Sequence, residues 1–327
     1  MSRLVTVVAI TVALALAAAL APAAASANDD CAATDPLCFD RLPRDDTWER
    51  AIALPAVPNY WEGDGVAVAS IDTGVTITRD LGSRLLARVD FTADQDGIDH
   101  FGHGTHIAGL IASNGYNSEG AYEGAAPETG LVSLKVAGWD GATDVTSVIA
   151  ALQWATSNRE RYGIKVVNLS WGTDGAQGTD IDPLDAAVER AWKAGLVVVV
   201  AAGNAGPGTV SKPGDDPHVI TVGAADIAGT AANDDDTVAA FSSRGTANDA
   251  GQKPDILAPG VSLISDRARA STIDTFAPEA RLGRSLFRGS GTSQAAAIVS
   301  GVAARMLDAN PALSPDQVKA ALMRSTH

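Results

Sequence analysis

Five apolar runs, residues 66–71, 131–136, 166–169, 196–201 and 219–222, recur along the middle of the chain with helix-like stretches between them. Each run is mostly apolar rather than strictly alternating, the pattern of a strand buried on both faces. The intervening stretches read as helices. One carries Val145, Val148, Ile149 and Leu152 at helical spacing; the other has Asp182 as N-cap, Pro183 at its first position and Gly195 at its end. Strand–helix–strand alternation predicts an α/β fold: a doubly wound, mainly parallel sheet with helices on both faces. The chain has 327 residues, 46% of them apolar and only 5% aromatic, enough for one sizeable core built from Ala and Val. Residues 224–289 read as loop-rich. A helix follows through Ser293, and a last one begins at Ser314, whose Ser-Pro-Asp-Gln opening is a capping box.

The formal charge is -15, from 39 acidic against 24 basic residues, which argues against nucleic acid or an anionic membrane as partner. Residues 4–20 are uncharged and apolar behind Arg3, and Ala25-Ser26-Ala27 precedes polar Asn28. This reads as a secretory signal cleaved after Ala27, with no stable membrane association afterwards; the Ala content and Pro22 argue against an uncleaved anchor. Cys31 and Cys38 are the only cysteines and lie close enough to close a small disulfide loop in an exported protein. The expected plan is a signal peptide at 1–27, an N-terminal extension at 28–60 that packs on the main unit, and one domain at 61–327.

Three glycine-bounded stretches carry the chemistry. Gly289-Ser290-Gly291-Thr292-Ser293 turns into an Ala-rich helix and places Ser293 in its first turn, where unpaired N–H groups can stabilise negative charge on a carbonyl oxygen. In residues 99–109, His103 lies between Gly102 and Gly104 at a turn, with His100 and His106 as neighbours; His106 should point into the protein. Asp72-Thr73-Gly74 stops the first apolar run, so Asp72 falls at a strand's carboxyl end, the edge where open parallel sheets build their sites. Each stretch alone has a plainer reading as a helix cap, a packed histidine or a turn.

Together they resemble the subtilases, the subtilisin-like serine proteases. Asp72-Thr73-Gly74, His103-Gly104-Thr105-His106 and Gly291-Thr292-Ser293 match that family's catalytic motifs in its order of aspartate, histidine and serine. The resemblance runs from about Trp61 to the end and implies a secreted, broadly specific serine endopeptidase acting on proteins or peptides as a monomer. It also implies roles: Ser293 the nucleophile, His103 the base, Asp72 its orienting carboxylate and Asn204 the side-chain oxyanion donor. Ser170, Trp171 and Gly172 match the segment that pairs with extended substrate, and Ala202 and Gly203, with loop 205–209, border the specificity pocket. Structural calcium is a family habit, with Asp80, Asn114 and Asn117 as the matching ligands; none is required for the chemistry. A narrow processing protease and a catalytically dead peptide-binding subtilase are the alternatives. Departures are visible too. Gln294 stands where the family usually has methionine, Ala296, Ala297 and Ile298 stand in place of a Ser-Pro-His run, and residues 28–60 are too few for a domain-sized propeptide.

Overall fold

A computed structural model describes residues 44–325 except 174–177, 209 and 246–252. The signal-like run, Cys31, Cys38, Thr209 and His327 lie outside the described residues.

The strands are β1 (Ala67–Asp72), β2 (Leu85–Asp90), β3 (Gly130–Lys135), β4 (Ile164–Leu169), β5 (Val197–Ala201), β6 (Ile220–Asp226), β7 (Thr237–Val238), β8 (Ile256–Pro259), β9 (Leu263–Asp266), β10 (Arg281–Leu282) and β11 (Leu286–Gly289). The helices are α1 (Thr47–Ala51), α2 (His103–Ala112), α3 (Val145–Tyr162), α4 (Pro183–Lys193), α5 (Thr272–Phe276), α6 (Thr292–Ala309) and α7 (Pro315–Arg324).

The main sheet runs β2-β3-β1-β4-β5-β6-β7, with β8 also paired to β6; only β7 joins antiparallel. β1, β4 and β5 are buried along almost their whole length, which for a parallel sheet means cover on both faces. α2 and α6 pack together as one helix pair against the strands, and α3 with α4 as another. This is the doubly wound α/β architecture expected from the apolar runs. Strand order reverses direction around β1, with β3 on one side and β4 on the other, so the loops leaving β1 and β4 diverge and open a crevice at their carboxyl ends.

Local chemistry sets the helix ends. Asp182 accepts from the backbone N–H of Leu184 and Asp185, Asp144 accepts from Ser147 N, and Ser314 and Gln317 cap α7 reciprocally. α6 is buried along most of its length, which its small residues permit: at Gly301 a β-carbon would come within 2.5 Å of Ala125 Cβ. Among the described residues no helix is long and apolar enough to cross a membrane.

Two sequence readings need correction. Residues 224–289 are less irregular than expected. They hold the end of β6, then β7 and β8, a three-stranded antiparallel sheet ordered β10-β11-β9, and α5. Residues 85–90 carried no strand assignment, yet β2 forms the edge of the main sheet. Before residue 61, Trp48 and Leu54 are buried in the same core as Val68 and Leu131.

Candidate active site

β1 delivers Asp72 at its last position, and α2 begins with His103. The two meet: His103 Nδ1 lies 2.8 Å from Asp72 Oδ1. The approach depends on the flanking glycines. At Gly104 a β-carbon would sit 2.2 Å from Gly74 O and 3.1 Å from Asp72 Oδ1, while Gly102 takes φ +109° to start the helix. Asp72 Oδ1 also accepts from Thr73 N at 2.8 Å, so the carboxylate is held by its own strand end as well. An ionised carboxylate can only accept, so Nδ1 carries the proton and Nε2 is left with a free lone pair.

Burial is the largest influence on His103 and lowers its pKa. The charge of Asp72, the hydrogen bond to it and the charge of Asp99 together outweigh burial and leave the pKa raised above the ordinary 6.5. His106, one turn on, is the opposite case. It is buried, and burial together with the neighbouring His103 holds it down to about 4; its Nε2 donates to Phe287 O at 3.2 Å. That histidine is neutral and already engaged, so it is not the base. His100 is solvent-facing and pairs with Asp96 at 2.8 Å.

β11 leads into the Gly291 turn and so into α6, placing Ser293 second in the helix. Its backbone N–H has no partner among the described residues, as the first helical turn requires. Its hydroxyl donates to Ser170 O at 3.3 Å, across the mouth of β4. Asn204 arrives just past the end of β5. Its Oδ1 accepts from Thr292 N at 3.0 Å and Thr292 Oγ1 at 3.1 Å, which fixes the amide and leaves Nδ2 without a partner among the described residues. Asn204 Nδ2 and the Ser293 backbone N–H are thus both without partners among the described residues, on the residues flanking these Thr292 contacts. Thr292 was passed over as a mere member of the Gly-Thr-Ser motif; a hydroxyl flanking a nucleophile was the only available signal.

Ser170 Oγ accepts from Asn168 Nδ2 at 2.8 Å, and Asn168 Oδ1 accepts from Ser300 Oγ at 3.0 Å. This buried polar chain ties the end of β4 to the middle of α6. Trp171 and Gly172 make no backbone–backbone hydrogen bonds among the described residues; Thr173, next along, bridges Lys212 at 3.0 and 2.9 Å. Ala202 and Gly203 have their carbonyls occupied by Ser211 N and Ser243 N.

The match to known proteins follows this geometry. The model of the "Subtilase family" matches residues 63–327. The chain belongs to the subtilase family. It is 44% identical to "Serine protease AprX" of Bacillus subtilis (strain 168) over 272 residues, which are 81% of this chain and 62% of that relative. To "Subtilisin Savinase" of Lederbergia lenta it is 34% identical over 270 residues, 82% of this chain and 86% of that one. The solved structure of "Sphericase" superposes with a TM-score of 0.65 at 29% identity, covering 80% of this chain and 83% of that one.

Subtilases commonly hold structural calcium, but the residues expected to bind it here do not fit an ion. Asp80 Oδ1 accepts from Asn117 N at 2.9 Å, and Oδ2 from the Asn117 side-chain amide. Asn114 Oδ1 accepts from Tyr116 N at 3.1 Å. The carbonyls of Asp80 and Ala112 both accept from the Arg84 guanidinium. The Arg84 guanidinium thus supplies positive charge beside the expected ligands.

Proposed function

We propose that this subtilase is a serine endopeptidase that cleaves peptide bonds through an acyl-enzyme on Ser293. The observation carrying this reading is the 2.8 Å contact between His103 Nδ1 and Asp72 Oδ1, which leaves Nε2 as the free base of the site. For attack, the Ser293 hydroxyl leaves Ser170 O, passes its proton to His103 Nε2 and forms a bond to the scissile carbonyl carbon. The imidazolium then gives that proton to the leaving amine, while Asp72 stabilises its charge. The carbonyl oxygen, negative in the tetrahedral stage, takes the N–H groups of Ser293 and Asn204 Nδ2. A water repeats the sequence to free the enzyme.

Substrate lies extended along residues 170–172 as an added strand, since Trp171 and Gly172 have unspent backbone groups among the described residues. Main-chain pairing of this kind tolerates many sequences. Ala202, Gly203 and residues 205–208 form the small, uncharged wall of the pocket beside it, which favours apolar side chains. The apolar run at residues 4–20 supports export and action outside the cell.

Fluorophosphonate labelling tests the reading. Wild type takes the label at Ser293, and Ser293→Ala takes none. His103→Ala lowers peptide hydrolysis on the order of 10⁶-fold, the scale known for subtilisin. A folded wild-type protein that takes no label overturns the proposal. Cleavage spread across a random peptide library supports broad specificity; a single dominant site refutes it.

A further inference from the structure

Behind the triad, a carboxylate outside the reacting groups joins its two halves. Asp99 is buried and sits on the loop entering α2. Its Oδ1 accepts from Thr73 Oγ1 at 2.8 Å and Gly102 N at 2.6 Å. Its Oδ2 accepts from Thr105 N at 2.8 Å and Thr105 Oγ1 at 2.7 Å. Thr73 follows Asp72; Gly102 precedes His103; Thr105 lies two residues beyond it. Both hydroxyls have their acceptor side committed elsewhere, Thr73 Oγ1 to Gly104 N at 2.8 Å and Thr105 Oγ1 to Thr76 N at 3.0 Å. All of Asp99's partners are therefore donors. Each oxygen also faces a backbone N–H that cannot accept, so a proton on either would cost the clamp a bond; the clamp favours the ionised carboxylate although burial raises the Asp99 pKa.

We propose that Asp99 is a positioning residue for proton transfer: its buried carboxylate locks the strand end bearing Asp72 to the first turn bearing His103, and fixes the distance between them. The inference rests on the hydrolase reading above. A side chain displaced by about 1 Å costs on the order of 10²-fold in rate, and apart from Asp72 itself no other carboxylate among the described residues bonds to both segments. Asp99 also acts at a distance on the base. The charged groups bearing on His103 are Asp72 from β1 and Asp99 from the loop before α2; His106, one turn on in α2, is neutral. Removing the Asp99 charge leaves Asp72 alone to favour the imidazolium.

Asp99→Asn supplies the test, because an amide keeps one acceptor oxygen but turns its N–H2 group against a backbone N–H, of Gly102 or of Thr105, that cannot accept. The expected result is a fall in kcat on the order of 10²-fold with KM little changed, together with a shift of the acid limb of kcat/KM to lower pH. Thr105→Val keeps the charge and removes one bond of the clamp, so it lowers kcat less and leaves the acid limb in place. A purely structural role would lower the melting temperature without moving the pH profile. Wild-type kcat in folded Asp99→Asn, or an unmoved acid limb, overturns the inference alone if the variant and wild type both take the fluorophosphonate label. If wild type takes no label, the hydrolase reading falls and this inference with it. Should Asp99→Asn fail to fold, Thr105→Val decides: reduced kcat at unchanged KM supports the clamp, and wild-type kcat overturns it.

Discussion

In the proposed mechanism Asn204 is the oxyanion donor, and Thr292 holds its oxygen so that Nδ2 faces outward; a free amide would turn either way with little penalty. Replacing Asn204 by Ala should lower kcat about 10²–10³-fold, the scale known for the matching donor of subtilisin, with KM nearly unchanged. Thr292→Val keeps the backbone bond and loses the hydroxyl bond, worth ~1 kcal/mol, so a several-fold loss is expected in the same assay. The base gives a pH prediction. His103 must be neutral to accept a proton, and Asp72 and Asp99 hold its pKa above 6.5, so kcat/KM should fall as pH drops through a value above 6.5. An acid limb below 6.5 would contradict the raised pKa. Gln294 gives a third expectation: with no thioether beside Ser293, peroxide should leave activity intact, and rapid loss tracking oxidation next to Ser293 would refute it. Asp72, His103 and Ser293 were legible because each stands in a distinctive glycine-bounded motif. Thr292 and Asp99 were not, since the role of a hydroxyl or carboxylate depends on partners that only the fold brings near.

At the scale of elements, the strands that could be read were those whose burial makes them continuously apolar, such as β4 and β5. β2 was missed because it is an edge strand with Arg88 in it and alternating exposure. β9 and β11 were missed because each is short and gains its identity only by pairing across the α5 excursion. The calcium ligands pose a related difficulty: oxygen-bearing residues are visible in sequence, but the hydrogen bonds that occupy them are not. One basic side chain lies beside the expected ligands, and a second serves a different loop. Arg84 donates to the carbonyls of Asp80 and Ala112. Lys135, its side chain 0% exposed, brings Nζ to 2.8 Å from Asp94 Oδ2, 3.4 Å from Asp96 Oδ1 and 2.8 Å from Ile98 O. Chelator should therefore leave the melting temperature unchanged, and added calcium should not raise it; a drop restored by calcium alone would refute this. Lys135→Met removes the cation from loop carboxylates that are themselves about a third exposed, and a loss of about 1–2 kcal/mol in unfolding free energy is expected. Because that loop runs into Asp99, activity should fall with it.

Across the whole molecule, α6 links the site to the place where the chain enters the fold. Its first turn carries Ser293, and at its far end Asp308 accepts from Gly63 N at 3.0 Å while Arg305 donates to Trp61 O at 3.3 Å. The sequence placed a boundary near residue 61, and the family match begins at residue 63. Packing does not respect that line, since Trp48, only 7% exposed, lies in the core with β1 and β3 residues. Removing a buried tryptophan costs about 3–5 kcal/mol, which in a domain of this size corresponds to a melting temperature lower by roughly 10 °C. Trp48→Ala should therefore melt and inactivate earlier on heating. At 25 °C it should still take the Ser293 label at the wild-type rate, because no group of the site touches it. If its melting temperature instead matched wild type, residues 44–60 would be a peripheral appendage, and the core would have to be complete from about residue 61 onward.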